Sequence, residues 1–265
     1  MRTGADHRGC GAERAGWGGQ VGHTSVDGQG RVRTPRRAAL AAVSVVAVAL
    51  VACTPVLTPA PPKRSATEAL HVDVVGDSLI RQAGPYIERR LNLGGFPNSI
   101  ASEPRADLRS PFVQGRLAQA AAAPGDIVVI STANNDAIVE AQMAATIGQG
   151  DAQWAYRNFL GDTAHRFGDR CVVAVNAKED MTPFYNPAQA AILNSNLRDE
   201  RTRRANVVIA DWAARSRLVP ADQFMADRFH FGPDPTTSFG TLGSADAFAA
   251  TIEGAVRECA RLLRP

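Results

Sequence analysis

The chain has 265 residues, 45% of them hydrophobic and 6% aromatic, with a formal net charge of +3. So small a charge, with much of the arginine excess in the first forty residues or so and no basic stripe interleaved with aromatics, argues against a nucleic-acid partner. The four cysteines, Cys10, Cys53, Cys171 and Cys259, form no CxxC and no His/Cys cluster, so no structural zinc is expected.

Residues 1–30 are Gly-rich and polar, without an apolar period, and read as disordered. Arg31, Arg33, Arg36 and Arg37 then precede an almost unbroken apolar run, Ala38 to Ala52. At about fifteen residues the run is short for a membrane span, and a basic flank with small residues at the end is the pattern of an export signal. It closes on Leu50-Val51-Ala52-Cys53, which resembles the bacterial lipobox, in which the cysteine is lipidated and becomes the mature N-terminus. The polar leader is longer than a signal needs, so translation is expected to start nearer Val32. Thr54 to Lys63 holds four prolines and predicts an extended tether over 54–69. The expected location is the outer face of a cell membrane, held by a lipid on Cys53, with plain secretion as the alternative. Residues 1–53 are thus leader and signal, and 70–265, roughly two hundred residues, suffice for one core and one domain.

In that domain Val72 to Gly76 is a buried strand, followed by Asp77-Ser78 and a helix over roughly 79–92 carrying Leu79, Ala83, Ile87 and Leu91 at helical spacing. Gly94-Gly95 ends the helix. Asn98 to Ser102 reads as a weak second strand, and the alanine-rich stretch from Arg105 to Ala122 as partly helical. Asp126 to Ser131 is a strand apolar on both faces, as in a parallel sheet covered by helices. Helical material fills 137–167, with Trp154, Phe159 and Phe167 as core. Cys171 to Val175 is a further strand, Pro187 to Arg203 a helix with proline at its start, Val207 to Ala210 a last strand, and Ser244 to Leu263 a closing helix. Strands alternating with helices predict a three-layer α/β sandwich on a mainly parallel five-stranded sheet.

Ligands of such sheets lie at the carboxyl ends of the strands, so the residues after each strand are the informative ones. They are Gly76-Asp77-Ser78, Asn134-Asn135-Asp136, Asn176 to Asp180, and Asp211-Trp212 followed by a loop with Asp227-Arg228-Phe229-His230. A serine needs a base to take its proton, an imidazole can serve, and a carboxylate fixes the imidazole's tautomer. Ser78, His230 and Asp227 supply these parts. Asp77 reads as a structural cap of the turn; read alone, Ser78 sits in a good place for a nucleophile and equally in an ordinary place for a helix cap.

Gly76-Asp77-Ser78-Leu79 early in the domain, an Asn-Asp pair after a middle strand and Asp-x-x-His near the end together resemble the SGNH/GDSL hydrolases, over most of 70–263. That family comprises esterases, lipases, thioesterases and carbohydrate O-deacetylases on a flavodoxin-like sheet. The resemblance implies Ser78 as nucleophile, His230 as base and Asp227 as its orienting carboxylate, with the Ser78 N–H and the Asn135 amide as the oxyanion hole and Asn134 as the alternative one register away. It implies no cofactor and no metal. Two positions depart from the family pattern: Ala133 stands where the Asn block opens with glycine, and Ala101 to Ala106 holds none of the glycine whose N–H completes the oxyanion hole, leaving a backbone N–H such as that of Arg105. The expected activity is cleavage of an acyl ester, of a cell-envelope glycan or lipid, by a monomer. An acyltransferase with the same triad and a non-catalytic binding protein are the rivals. Cys171 and Cys259, the two remaining thiols of an exported domain, are expected to pair, against two separate buried thiols.

Overall fold

The computed structural model describes residues 63–65, 68–123, 125–232 and 243–264. The leader, the export signal, Cys10, Cys53 and most of the proline-rich tether lie outside the described residues.

Five strands, β1 (Val72–Gly76), β2 (Asn98–Ser102), β3 (Ile127–Ser131), β4 (Cys171–Val175) and β5 (Val207–Ala210), pair in the order β2-β1-β3-β4-β5. Every pairing is parallel. β1, β3 and β4 are buried along their whole length, which is why they read as continuous apolar runs. β2 is the outer strand on its side of the sheet and only half-buried, so its sequence, Asn98-Ser99-Ile100-Ala101-Ser102, carries a weaker signal.

Helices α1 (Ser78–Leu93) and α7 (Ser244–Leu263) pack against each other, and α7 also lies on β3, β4 and β5. Right-handed crossovers put α2 (Pro111–Ala122), α3 (Ala133–Ile147), α4 (Gln149–Arg166) and α5 (Pro187–Arg203) on the opposite face. A short α6 (Trp212–Ser216) follows β5. This is the expected three-layer flavodoxin-like α/β arrangement, with all five strands parallel. The disulfide between Cys171 and Cys259 joins β4 to α7, both cysteines being fully buried.

The stretch from Arg105 to Ala122 is partly helical, as expected: its helix starts at Pro111, where the Ser110 hydroxyl accepts from the Val113 N–H; before it, Ala106 and Leu108 anchor a loop in the core. One expectation, Trp154 in the core, needs correction: Trp154 is 68% exposed. The buried stripe of α4 runs through Ala152, Tyr156, Leu160 and Ala164 at four-residue spacing, and Trp154 points away from it. Phe167 is buried and Phe159 partly so.

The connectivity reverses at β1: the chain leaves it first for β2 on one side and returns to β3 on the other. The crevice between the ends of β1 and β3 is therefore the place where such sheets hold ligands. Gly76 closes β1 there. A Cβ on it would lie 2.6 Å from the Ser131 carbonyl oxygen and 2.4 Å from Ile80 Cγ1, so only glycine lets the strands and α1 approach this closely. At the other pole, Lys63 donates to the carbonyls of Leu262 and Arg264 at 2.9 and 2.8 Å, and Arg64 pairs with Asp126, just ahead of β3, at 3.2 Å. The chain thus enters the domain at the amino ends of the strands.

Candidate active site

Asp77 follows β1 as the N-cap of α1. Its side chain accepts from the Leu79 N–H at 2.9 Å, and its own N–H donates to Ser131 O at 3.1 Å. Ser78 is then the first helical residue, half-buried, with its hydroxyl on the rim beside the helix's free N–H groups. The Ser78 Oγ lies 3.0 Å from His230 Nε2, and His230 Nδ1 lies 2.7 Å from Asp227 Oδ2. With Asp227 ionised, Nδ1 carries the ring proton and Nε2 accepts from the serine hydroxyl.

The loop bearing Asp227 and His230 is held from several sides. Asp227 Oδ1 accepts from the N–H groups of Phe229 and His230 at 2.9 and 3.0 Å, and Tyr185 Oη donates to Oδ2 at 3.3 Å. The Thr182 N–H donates to the Asp227 carbonyl, while Met225 N–H donates to His230 O at 2.8 Å. Phe229 is fully buried against the Tyr185 ring, centroids 4.6 Å apart. Burial pushes the Asp227 carboxyl upward, but the bonds from the His230 ring and the two backbone N–H groups outweigh it and hold the group below its ordinary value.

Of the two candidate amides, Asn135 lines the cleft beside Ser78 and Asn134 does not. Asn134 Nδ2 donates to Lys178 O at 3.1 Å and its Oδ1 accepts from the Lys178 N–H at 3.2 Å, so it ties α3 to the loop after β4. Asn135 Nδ2 donates to Asp77 Oδ2 and to Ala106 O, both at 3.1 Å. It therefore clamps the 105–106 turn against the start of α1. Arg105, in that turn, has φ of 65°, the left-handed conformation usual for glycine. The residue facing the nucleophile thus takes glycine's backbone geometry without being glycine, and its N–H makes no hydrogen bond among the described residues.

Asp136, for which sequence reasoning offered no role, accepts from the Leu108 N–H at 2.7 Å and from Thr132 Oγ1 at 2.8 Å, fixing the loop below Arg105. Burial drives both Asp77 and Asp136 up to about 7. Asp211 caps α6 and accepts from Asn176 Nδ2 at 2.7 Å. Trp212 is fully buried among Phe224, Phe231 and Phe248.

A cleft of about 560 Å³ opens over Ser78 and His230, large enough for a small acyl ester. Pro104 and Arg105 border it on one side, and Phe184 and Tyr185 on another. Sequence reasoning missed the α3 wall of Ile138, Val139 and Gln142, whose spacing is that of an ordinary helix, and the bond from Tyr185 to Asp227. Among the described residues no group of three or more His, Cys, Asp or Glu side chains could hold a metal ion, and no helix is long and apolar enough to cross a membrane.

No protein-family model and no curated protein matches the sequence. Solved structures do match. TesA shares 16% identity over 71% of this chain and 99% of its own, with a TM-score of 0.52. A member of the lipolytic protein G-D-S-L family from Veillonella parvula shares 11% over 71% and 99%, TM-score 0.52. A family 3 carbohydrate esterase from Clostridium thermocellum shares 10% over 75% and 100%, TM-score 0.52. The fold is the one these proteins share, as the SGNH/GDSL resemblance implies.

Proposed function

We propose that this chain is an SGNH-type serine esterase that cleaves an ester-linked acyl group through a Ser78 acyl-enzyme. The observation that carries the reading is the unbroken line from Asp227 through the His230 ring to Ser78 Oγ, at 2.7 and 3.0 Å, at the floor of an open cleft.

In this reading His230 Nε2 takes the hydroxyl proton as Ser78 Oγ attacks the ester carbonyl, and Asp227 stabilises the imidazolium. The oxyanion is met by the Ser78 N–H at the start of α1 and the Arg105 N–H across the cleft. Asn135 holds that second donor in place through Ala106 O, and an arriving oxyanion competes with Ala106 for its amide. His230 then protonates the leaving alcohol. A water, deprotonated by the same nitrogen, attacks the acyl-enzyme and releases the acid. The absence of glycine between Ala101 and Ala106 favours a non-catalytic binding protein only if no second donor exists, and the left-handed Arg105 beside the cleft supports a backbone N–H in that role.

We also infer an exported, lipid-anchored monomer. Lys63 and Arg64 lie at the amino ends of the strands, the pole opposite the cleft, which supports a cleft turned away from the bilayer once Cys53 is lipidated. That orientation favours an envelope glycan ester over a lipid of the same membrane. A fluorophosphonate probe tests the chemistry: wild type should be labelled and Ser78→Ala should not. An unlabelled wild type that also leaves short 4-nitrophenyl esters intact would favour the binding protein.

A further inference from the structure

Among the described residues that line the cleft, Arg105 alone carries a permanent charge. Half of its neighbours there are apolar, Pro104, Ile138, Val139, Phe184 and Phe229, and none of the others is permanently charged. The side chain is exposed and takes part in none of the ion pairs among the described residues. Its charge nonetheless reaches across the cleft: burial and Asp227 raise the Tyr185 phenol, and Arg105 pulls it back down. Left-handed backbone is unfavourable for a non-glycine residue, a cost glycine would avoid at φ 65°.

An exposed guanidinium that joins no ion pair among the described residues, at the edge of a half-apolar cleft, places a positive potential beside the nucleophile's pocket. Its planar fork matches a carboxylate, and one such group balances one negative charge. A phosphate dianion would bring a second charge, and no second permanently charged side chain among the described residues lines the cleft to balance it.

We propose that Arg105 selects esters that carry a carboxylate on the acyl or the alcohol side, with the hydrocarbon between charge and ester lying on the Ile138, Val139 and Phe184 wall. The inference rests on the Ser78 hydrolase reading and names its substrate class.

Matched ester pairs test it. Mono-4-nitrophenyl adipate is compared with 4-nitrophenyl hexanoate for a charge on the acyl side, and 5-acetoxy-2-nitrobenzoate with 4-nitrophenyl acetate for the alcohol side. In one of the two pairs wild type should favour the charged ester in kcat/KM by about tenfold, the factor one charge-assisted hydrogen bond supplies. Arg105→Gln should bring that ratio close to one, and Arg105→Lys should keep part of it. Equal ratios in wild type and Arg105→Gln, or a neutral preference in both pairs, overturn the proposal. Failure of the hydrolase reading looks different: no Ser78-dependent fluorophosphonate labelling and no turnover of any ester. Binding then reads the same contact. Monomethyl adipate, followed by NMR, should bind Arg105→Gln about tenfold more weakly than wild type, and equal Kd values overturn it.

Discussion

Asp227 reaches the His230 ring at 2.7 Å because Arg228, between them, adopts a left-handed φ of 57° that folds the carboxylate back over a three-residue span. Asp227→Asn leaves the shape but replaces one carboxylate oxygen by an amide that can donate. A donor facing Nδ1 favours the tautomer in which Nε2 carries the proton and cannot accept one from Ser78. Ester turnover should fall by about 10³–10⁴-fold, the scale seen when a triad loses its carboxylate. The measurement is kcat on a short 4-nitrophenyl ester, with circular dichroism showing the fold retained; turnover within tenfold of wild type would remove Asp227 from the mechanism.

Tyr185→Phe probes a weaker support. The phenol donates to the oxygen of Asp227 that also receives the His230 ring, at 3.3 Å, while its ring packs on buried Phe229. Phenylalanine keeps the packing and deletes the bond, and Asp227 retains two backbone donors. The expected loss in fluorophosphonate labelling rate is about three- to tenfold, a lost hydrogen bond of around 1 kcal/mol. A loss as large as that of Asp227→Asn would mean that Tyr185 itself takes part in the chemistry.

The Cys171–Cys259 bridge closes 88 residues of chain between β4 and α7. A loop of that size implies stabilisation of about 4–5 kcal/mol through restriction of the unfolded chain, with about 2–5 commonly found when a native bridge is removed. Cys171→Ala/Cys259→Ala should lower the urea midpoint substantially. Activity at 25 °C should persist, because the bridge joins β4 to α7 and neither cysteine lines the cleft. An unchanged midpoint would mean that the bridge is dispensable.

Much of this arrangement is legible in the sequence, for physical reasons. β1, β3 and β4 are buried on both faces, so their apolar runs need no periodicity to be seen. Asp227 and His230 stand three residues apart, so a local turn suffices to bring them together. The residues that stay hidden depend on tertiary context. Nothing in Glu103-Pro104-Arg105 marks a left-handed arginine, whose geometry comes from the Asn135 clamp on Ala106 and the Asp136 bond to Leu108. Ile138 and Val139 look like core positions of α3, yet they are half-buried and face the cleft. Trp154 misleads in the opposite direction, an aromatic off the buried stripe of its helix.

The two buried carboxyls beneath the site set a pH dependence whose sign can be worked out. Burial, with the charge of Asp136 adding to it, raises Asp77 from 3.8 to about 7; burial, with Asp107 adding, does the same for Asp136. Between those values the folded protein keeps protons that the unfolded chain has released, so stability falls as pH rises from about 4 to 7. Below about 4 both states are protonated and these groups add nothing more. Asp227 works the other way: its lowered pKa adds stability above the unfolded value, lost as pH falls through the folded one. The expected result is a higher urea midpoint at pH 5 than at pH 7.5. Asp136→Asn retains an acceptor for the Leu108 N–H and cannot ionise, so the midpoint should change less between the two pH values. A midpoint that climbs from pH 5 to 7.5, or a slope untouched by Asp136→Asn, would show that the buried pair does not hold its protons in the folded state.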